Sequence, residues 1–175
     1  MNFHRREVIN DIAYQVRNLL NITEDDFDIA NVVSSLNGHI SSNPFCDYEA
    51  RVIKSSNKSF TIELDTNCSS KRERFSIAHE LGHLFLHMKF LIDSEAWDNI
   101  EIGTSHARNS TTPYSRLESE ANEFAAAFLM PKDRFISIAE ETSDGKFYNM
   151  DKIANHFKVS TDTVNIRGKV LGIWE

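Results

Sequence analysis

The hydrophobic positions of the N-terminal third predict two helices. Apolar residues recur at helical spacing over residues 6–20, as expected for a helix with one buried face. Asp28 stands where a capping residue would begin a second helix over residues 29–36, and Asn37-Gly38 follows as a signal for its end. Neither segment has side chains in a catalytic pattern, so we assign both to packing.

The middle of the chain, residues 40–66, predicts β structure. Phe60, Ile62 and Leu64 alternate with polar residues, which is the period of a half-buried strand. A polar cluster over residues 55–58 separates this run from an apolar run just before it. The two runs therefore predict a hairpin, because clusters of small polar residues favour turns.

Two longer helices are predicted after the strands. The first covers about residues 70–88 and has a broad apolar stripe, so it is expected to be buried. The second covers residues 115–130, with Ser115 as its N-cap and Pro131 directly after its end. Between them, residues 89–112 are polar with weak periodicity, which predicts a long mobile loop.

The C-terminal residues predict short helices and a closing strand. The helical patterns cover residues 132–141, 150–157 and 160–167, and the apolar run of the strand covers residues 170–174. Ser143-Asp144-Gly145 is a turn signal between the first two helices. We therefore expect a main domain over residues 1–145 and a small helical segment over residues 146–175 packed on it.

Composition and charge narrow the class of protein. The chain has 175 residues, 41% of them hydrophobic, which is enough for one domain with a substantial core. A net charge of −7 argues against nonspecific binding of nucleic acid. There is no signal segment and no run of the ~18 apolar residues that a membrane span needs, so we predict a cytoplasmic protein without a membrane partner. Cys46 and Cys68 are interpreted as free thiols, with a disulfide as the alternative.

The first of the two longer helices carries the motif His79-Glu80-Leu81-Gly82-His83. Residues four apart lie on one face of a helix, so both histidines can reach one metal ion. Glu80 lies beside them, where a carboxylate can act as general base toward a water molecule. This pattern is typical of zinc peptidases. The alternative is a core helix with incidental histidines, but buried histidines need polar partners, and a metal supplies one.

A catalytic zinc site needs a third protein ligand besides a water molecule. His87 is one turn beyond His83 on a continuous helix, so we assign it to a supporting or packing role. Glu118 and Glu120 on the next long helix are two positions apart and cannot both face the metal. We choose Glu118 as the ligand and keep Glu120 as the fallback. Asn122 shares the face of Glu118 and is expected to accept a hydrogen bond from a ligand histidine.

Longer patterns extend these motifs. They run over Arg74–His87, Glu118–Pro131 and Ile153–Arg167. The first resembles R-F-T-x-A-H-E-L-G-H-x-x-x-H, the second E-x-x-A-N-x-F-A-A-x-L-L-M-P, and the third a tail with A-x-x-F-x-V-S before an arginine. Together they resemble the ImmA/IrrE family of zinc metallo-endopeptidases. The pattern of that family places its third ligand at the position of Glu118.

The resemblance implies a fold and a function. The fold is α+β, with a zincin-like metallopeptidase core of the gluzincin kind. A small antiparallel sheet packs on the active-site helix, and the C-terminal segment is helical and helix-turn-helix-like. The implied function is endopeptidase cleavage of a helix-turn-helix repressor, which derepresses mobile-element or stress genes. One Zn²⁺ per chain is implied as the cofactor.

The oxyanion of the reaction needs a stabilising group besides the metal. Tyr114, His106 and His87 are the candidates. Two other functions compete with catalysis. One is a non-catalytic zinc-binding module that binds a repressor or a partner protein. The other is a DNA-binding regulator that uses residues 146–175, but the small positive charge of this tail argues against it.

Overall fold

The structure is a computed structural model that describes residues 1–44, 48–65, 69–107 and 115–175. This part of the chain has eight helices and one sheet. The helices are α1 (Phe3–Leu19), α2 (Ile29–Ser35), α3 (Ser70–Leu86), α4 (Ser94–Asp98), α5 (Arg116–Leu129), α6 (Lys132–Thr142), α7 (Met150–Phe157) and α8 (Thr161–Leu171). The strands are β1 (Gly38–Ser42), β2 (Ala50–Ser56), β3 (Ser59–Leu64) and β4 (Ser105–Ala107). The predictions for Cys46, Cys68 and Tyr114 fall outside the described residues.

The four strands form a mixed sheet in the order β1-β3-β2-β4. β2 and β3 make the predicted hairpin, with Val52 opposite Ile62. β1 runs parallel to β3, with Ile40 opposite Ile62. The expectation of an antiparallel sheet is therefore wrong for β1. Hydrophobic alternation indicates which face of a strand is buried, but it does not indicate the direction of the neighbouring strand.

Residues 89–107 contain the helix α4 and the strand β4, and β4 pairs with β2 of the sheet, so the prediction of a long loop is wrong here. Trp97 is only 4% exposed. The ammonium of Lys54, on β2, is fully buried and donates hydrogen bonds to the carbonyl oxygens of Trp97 at 2.7 Å and Ile100 at 2.8 Å. A five-residue helix and a three-residue strand are too short to show periodicity. The result is that β4 places His106 at the edge of the sheet beside α3.

α3 and α5 approach each other closely at Gly82. A Cβ atom at this position would lie 3.0 Å from both the Cα atom and the carbonyl oxygen of Ala121 on α5. Glycine is a poor residue for a helix interior, by about 1 kcal/mol relative to alanine, so this contact explains its presence. Glu118 lies one turn before Ala121 on α5. The close approach of the two helices at Gly82 therefore also determines how near Glu118 lies to the histidines of α3.

We expect Gly82→Ala to weaken metal binding. Alanine gains about 1 kcal/mol of helix propensity, but overpacking against a backbone costs about 1–3 kcal/mol. Relief of the clash moves α5, and with it Glu118, away from the two histidines. Zinc titration together with thermal unfolding measures both effects. A higher melting temperature with unchanged zinc affinity would show that the helices do not need this close approach.

The C-terminal helices share the core of the rest of the chain. Ile153, Phe157 and Val164 are buried in the same hydrophobic cluster as α3 and α5. Arg167 is 1% exposed, and its guanidinium donates to Glu123 on α5 at 3.1 Å and to Asn10 on α1 at 3.0 Å. The segment is thus tied to the rest by both apolar and ionic contacts. Its helix-turn-helix-like character, the zincin-like core and the division at residue 145 stay predictions.

The last residues differ from their prediction. α8 continues to Leu171 and ends at Gly172, which has φ +70°, so the predicted strand over residues 170–174 is wrong. The apolar run instead serves packing, because the ring of Trp174 lies 5.8 Å from that of Phe135. An apolar run of this length is compatible with a strand or a helix end by pattern alone. None of the described helices is long and apolar enough to cross a membrane.

Candidate metal centre

α3 and α5 bring three predicted ligands together. The Nε2 atoms of His79 and His83 lie 3.0 Å apart. Glu118 places Oε2 at 3.2 Å from His79 Nε2 and Oε1 at 3.1 Å from His83 Nε2. One donor atom from each residue falls within 4.8 Å of the others. This arrangement of two nitrogens and one carboxylate oxygen could hold a metal ion.

The environment of Glu118 keeps its side chain ionised. Burial alone would raise the pKa of this carboxyl group, but hydrogen bonds from His79 and His83 and the charge of both rings lower it well below the usual range. The side chain is 12% exposed, whereas both histidines are almost fully buried. A partly accessible, ionised carboxylate is the form that can coordinate a cation.

A hydrogen bond on the far side of the His79 ring orients its donor nitrogen. His79 Nδ1 lies 2.9 Å from Asn122 Oδ1. Because an amide oxygen can only accept, Nδ1 of His79 is protonated, and Nε2, on the side of Glu118, is the ring nitrogen that can bind a metal once it carries no proton. Asn122 therefore makes the contact that its helix face predicts. Neutral imidazole nitrogens with a carboxylate are a ligand set that zinc prefers, so the residues fit this metal.

Glu80 is fully buried on α3. It directly follows His79 and lies three residues before His83, a spacing at which side chains are neighbours on a helix surface. A buried carboxylate next to two histidines is unusual for a core position, where glutamate is rare unless it has polar partners. Its role as general base stays a prediction.

His87 and Glu120 lie on the side of the His83 ring that faces away from Glu118. His87 Nδ1 is 2.9 Å from His83 Nδ1, on the side of that ring away from Glu118. Burial, with the charge of His83, lowers the pKa of His87 to about 4. Glu118, not the fallback Glu120, faces the Nε2 atoms. Glu120 instead pairs with two arginines, and the hydrogen bond from Arg5 contributes most to lowering its pKa to about 2.

Arg5 makes a contact with Glu120 that the sequence did not predict. It lies on α1, 115 residues from Glu120, and its Nη2 donates to Glu120 Oε2 at 2.5 Å. Arg116 holds the other oxygen, with Nε at 2.8 Å from Oε1. The only signal was a pair of adjacent arginines at the start of an amphipathic helix. Such a pair is common on solvated faces, so its pairing partner cannot be identified from the sequence.

His106 lies on the β4 side of the cluster. Its ring stacks on that of His83, with centroids 5.5 Å apart and planes 9° apart. Burial, with the charge of His83, lowers the pKa of His106, so the ring is neutral at neutral pH. A neutral imidazole keeps one N–H donor. The structure therefore describes two of the oxyanion candidates. His106 contacts the His83 ring from the sheet, and His87 contacts Nδ1 of His83, on the side of that ring away from Glu118.

Comparison with known proteins supports the resemblance. The family model of the IrrE N-terminal-like domain, Peptidase_M78, matches residues 47–169. A solved structure titled "Mycobacterium tuberculosis transcriptional regulator" has a TM-score of 0.60 at 18% identity, covering 90% of this chain and 45% of that chain. At this identity the likeness shows the fold, and the chain spans less than half the length of that structure. A search of curated proteins gave no match.

The family model covers most of the chain and includes all three residues of the cluster. The model is that of a peptidase family, which suggests a metallopeptidase-like role in general. The chain therefore belongs to the Peptidase_M78 family of IrrE N-terminal-like domains, which is the ImmA/IrrE assignment that its motifs predict.

Proposed function

We propose that the chain is a zinc-dependent endopeptidase with one Zn²⁺ per chain. The observation that carries this proposal is the convergence of His79, His83 and Glu118, with donor atoms within 4.8 Å of one another. Within the described residues, no fourth His, Cys, Asp or Glu joins the cluster. Three protein ligands leave a position for water, which is typical of catalytic rather than structural zinc.

The chemistry divides between the metal and the chain. Zinc, when bound, supplies a Lewis acid that polarises the scissile carbonyl and lowers the pKa of a water molecule. Glu80 accepts the proton of the attacking water on its carboxylate and returns it to the leaving amine. Asn122 keeps Nε2 of His79 available by holding the proton on Nδ1. His106 is the donor that we assign to the carbonyl oxygen as negative charge develops on it.

The substrate that we propose is a helix-turn-helix repressor, whose cleavage would relieve repression. The support is the ImmA/IrrE resemblance, together with a structural neighbour whose title is a transcriptional regulator. β4 is the last strand in the order of the described sheet and carries His106. An extended segment of the substrate could pair with this edge by backbone hydrogen bonds, which would bring a peptide bond close to the cluster.

Metal removal tests the proposal. Zinc-loaded protein is incubated with a panel of helix-turn-helix repressors and with an unfolded protein such as casein, and the products are identified by mass spectrometry. We expect cleavage that stops with 1,10-phenanthroline and returns when equimolar zinc is added back. Cleavage that persists without metal would exclude the zinc mechanism. Tight repressor binding without cleavage in the zinc-loaded protein would favour the non-catalytic module instead.

A further inference from the structure

We propose that Lys54 is a positioning residue for the peptidase reaction, because it holds the segment that places His106 against the metal cluster. Lys54 lies on β2, and the segment contains α4 and β4. The inference rests on the proposed function, since His106 is the residue to which we assign stabilisation of the developing charge. Its basis is a buried ammonium group that contacts backbone carbonyl oxygens of this segment.

The side chain of Lys54 ends at the C-terminal end of α4. It is fully buried, although lysine is almost never fully buried unless it is paired. Its Nζ atom lies 2.7 Å from the carbonyl oxygen of Trp97, 2.8 Å from that of Ile100 and 3.4 Å from that of Asp98. Among the described residues, no carboxylate pairs with it. An ammonium group has three N–H donors, so these three carbonyls are the partners that match it.

The position of the ammonium couples its burial to the fold of the segment. Carbonyl oxygens of the last turn point beyond the end of a helix, where a cation is favourable. Nζ also lies 4.7 Å from the centre of the Trp97 ring, within the range of a cation–π contact. A buried ammonium without these partners would be costly. Burial of Lys54 therefore favours the state in which residues 97–100 lie over it.

The backbone of Lys54 pairs with the residues that lead into β4. Its N–H donates to the carbonyl oxygen of Thr104 at 3.0 Å, and its carbonyl oxygen accepts from the N–H of Gly103 at 2.8 Å. The pairing continues along β2 until His106 lies opposite Val52. A substitution at position 54 leaves these backbone groups in place, so it tests the contribution of the ammonium group alone.

Lys54 and His106 are on the same face of the sheet. Directly opposite residues of an antiparallel pair share a face, so His106 is on the face of Val52. Lys54 is two residues from Val52 along β2 and is on this face as well. The ring of His106 contacts His83 there, with centroids 5.5 Å apart. Lys54 thus holds the beginning of a short stretch of chain whose end contacts the metal cluster.

This arrangement matters for catalysis because a hydrogen-bond donor stabilises an oxyanion best when its position is fixed before the reaction. β4 has only three residues, Ser105–Ala107, and pairs with a single strand of the described sheet. Few backbone hydrogen bonds therefore fix its position. The contacts of Lys54 supply the additional constraint that keeps His106 beside the cluster.

Lys54→Met and one matched control test the positioning role. Methionine has a side chain of similar length but no N–H donor. The control is Arg51→Met, because Arg51 is also a cation on β2 but is on the opposite face, where it pairs with Glu63 at 2.8 Å. Zinc content is determined for each protein. The kcat and KM values are measured with the repressor or the casein that the wild type cleaves.

A second measurement reports on the position of His106 without any turnover. The nuclear Overhauser contact between the ring protons of His106 and His83 is recorded on metal-free protein. We expect this contact in the wild type and in Arg51→Met, and its loss in Lys54→Met. Zinc should remain bound in Lys54→Met, because the proposed ligands lie on α3 and α5.

The kinetic effect has an upper bound. We expect Lys54→Met to lower kcat by at least about 10-fold, and by no more than the about 10²–10³-fold that the loss of one oxyanion donor costs. Arg51→Met should have the kcat of the wild type. In a His106→Ala background, Lys54→Met should lower kcat by a much smaller factor, since it acts through His106. A residue that only stabilises the fold would lower kcat by the same factor in both backgrounds.

The outcomes separate the positioning role from the proposed function. If the wild type cleaves and Lys54→Met has an unchanged kcat, or the same loss with and without His106, the positioning role is wrong and the proposed function stands. If the wild type cleaves nothing, the proposed function fails, and the ring contact decides whether Lys54 positions His106. If Lys54→Met does not fold, Lys54→Gln decides. Its shorter, neutral amide reaches fewer carbonyls, so an unchanged kcat and ring contact would contradict the positioning role.

Discussion

Glu80→Gln is expected to bind zinc like the wild type and to lose peptide hydrolysis by about 10²–10⁴-fold, the contribution of a positioned general base. Glutamine keeps the size and shape of the side chain but cannot accept the proton of the attacking water. The proposed zinc ligands His79, His83 and Glu118 are unchanged, so the metal should remain. This separation of metal binding from turnover distinguishes a base from a ligand.

The Glu80→Gln experiment pairs a cleavage assay with a zinc determination on the same sample. Glu73→Gln is the matched control, because Glu73 lies on the same helix, in its exposed first turn, and should behave as wild type in both assays. Cleavage by Glu80→Gln at the wild-type rate would contradict the proposed mechanism. Loss of zinc in this variant would show that Glu80 acts at the metal itself.

Glu118→Gln is expected to lose zinc by a larger factor than the about 10–100-fold typical of residues that only support a ligand. The amide is neutral, whereas the carboxylate of Glu118 is held ionised by its contacts to both histidines. Replacing it removes a negative charge from the coordinating atoms. The two imidazoles alone are too few ligands for a stable zinc site. Zinc retained after gel filtration, measured by mass spectrometry, gives the result directly.

The comparison with Glu120→Gln makes this test specific to α5. Both residues lie on the same helix and differ by two positions, so they point to different sides. We expect Glu120→Gln to retain most of its zinc at micromolar concentrations and Glu118→Gln to lose it. The reverse result would mean that the fallback ligand is the true one and that α5 faces α3 with another side.

The two helices that carry the proposed metal ligands, α3 and α5, were predictable because they are long and periodic. The i, i+4 spacing of His79 and His83 directly determines that they share a face. The choice of Glu118 over Glu120 followed from the face of α5 that Glu118 shares with Asn122. All of these are relations within one helix, and such relations can be derived from sequence spacing.

Relations between distant elements were not predictable in the same way. The parallel pairing of β1 with β3 depends on chain connection, not on the hydrophobic pattern of either strand. The anchoring of residues 89–107 depends on Lys54, whose burial is exceptional for lysine. The pairing of Arg5 with Glu120 joins residues 115 positions apart. Each of these features depends on tertiary contacts, which the local propensity of the sequence does not predict.

The proposed function requires that His79, His83 and Glu118 hold a catalytic zinc ion. A crystal structure of the zinc-loaded wild type, with anomalous data on both sides of the zinc absorption edge, tests it most directly. We predict one anomalous peak per chain between the Nε2 atoms of the two histidines and the Glu118 carboxylate, with a water molecule completing the coordination. The absence of a peak there, or a fourth protein ligand in place of the water, would contradict the catalytic assignment.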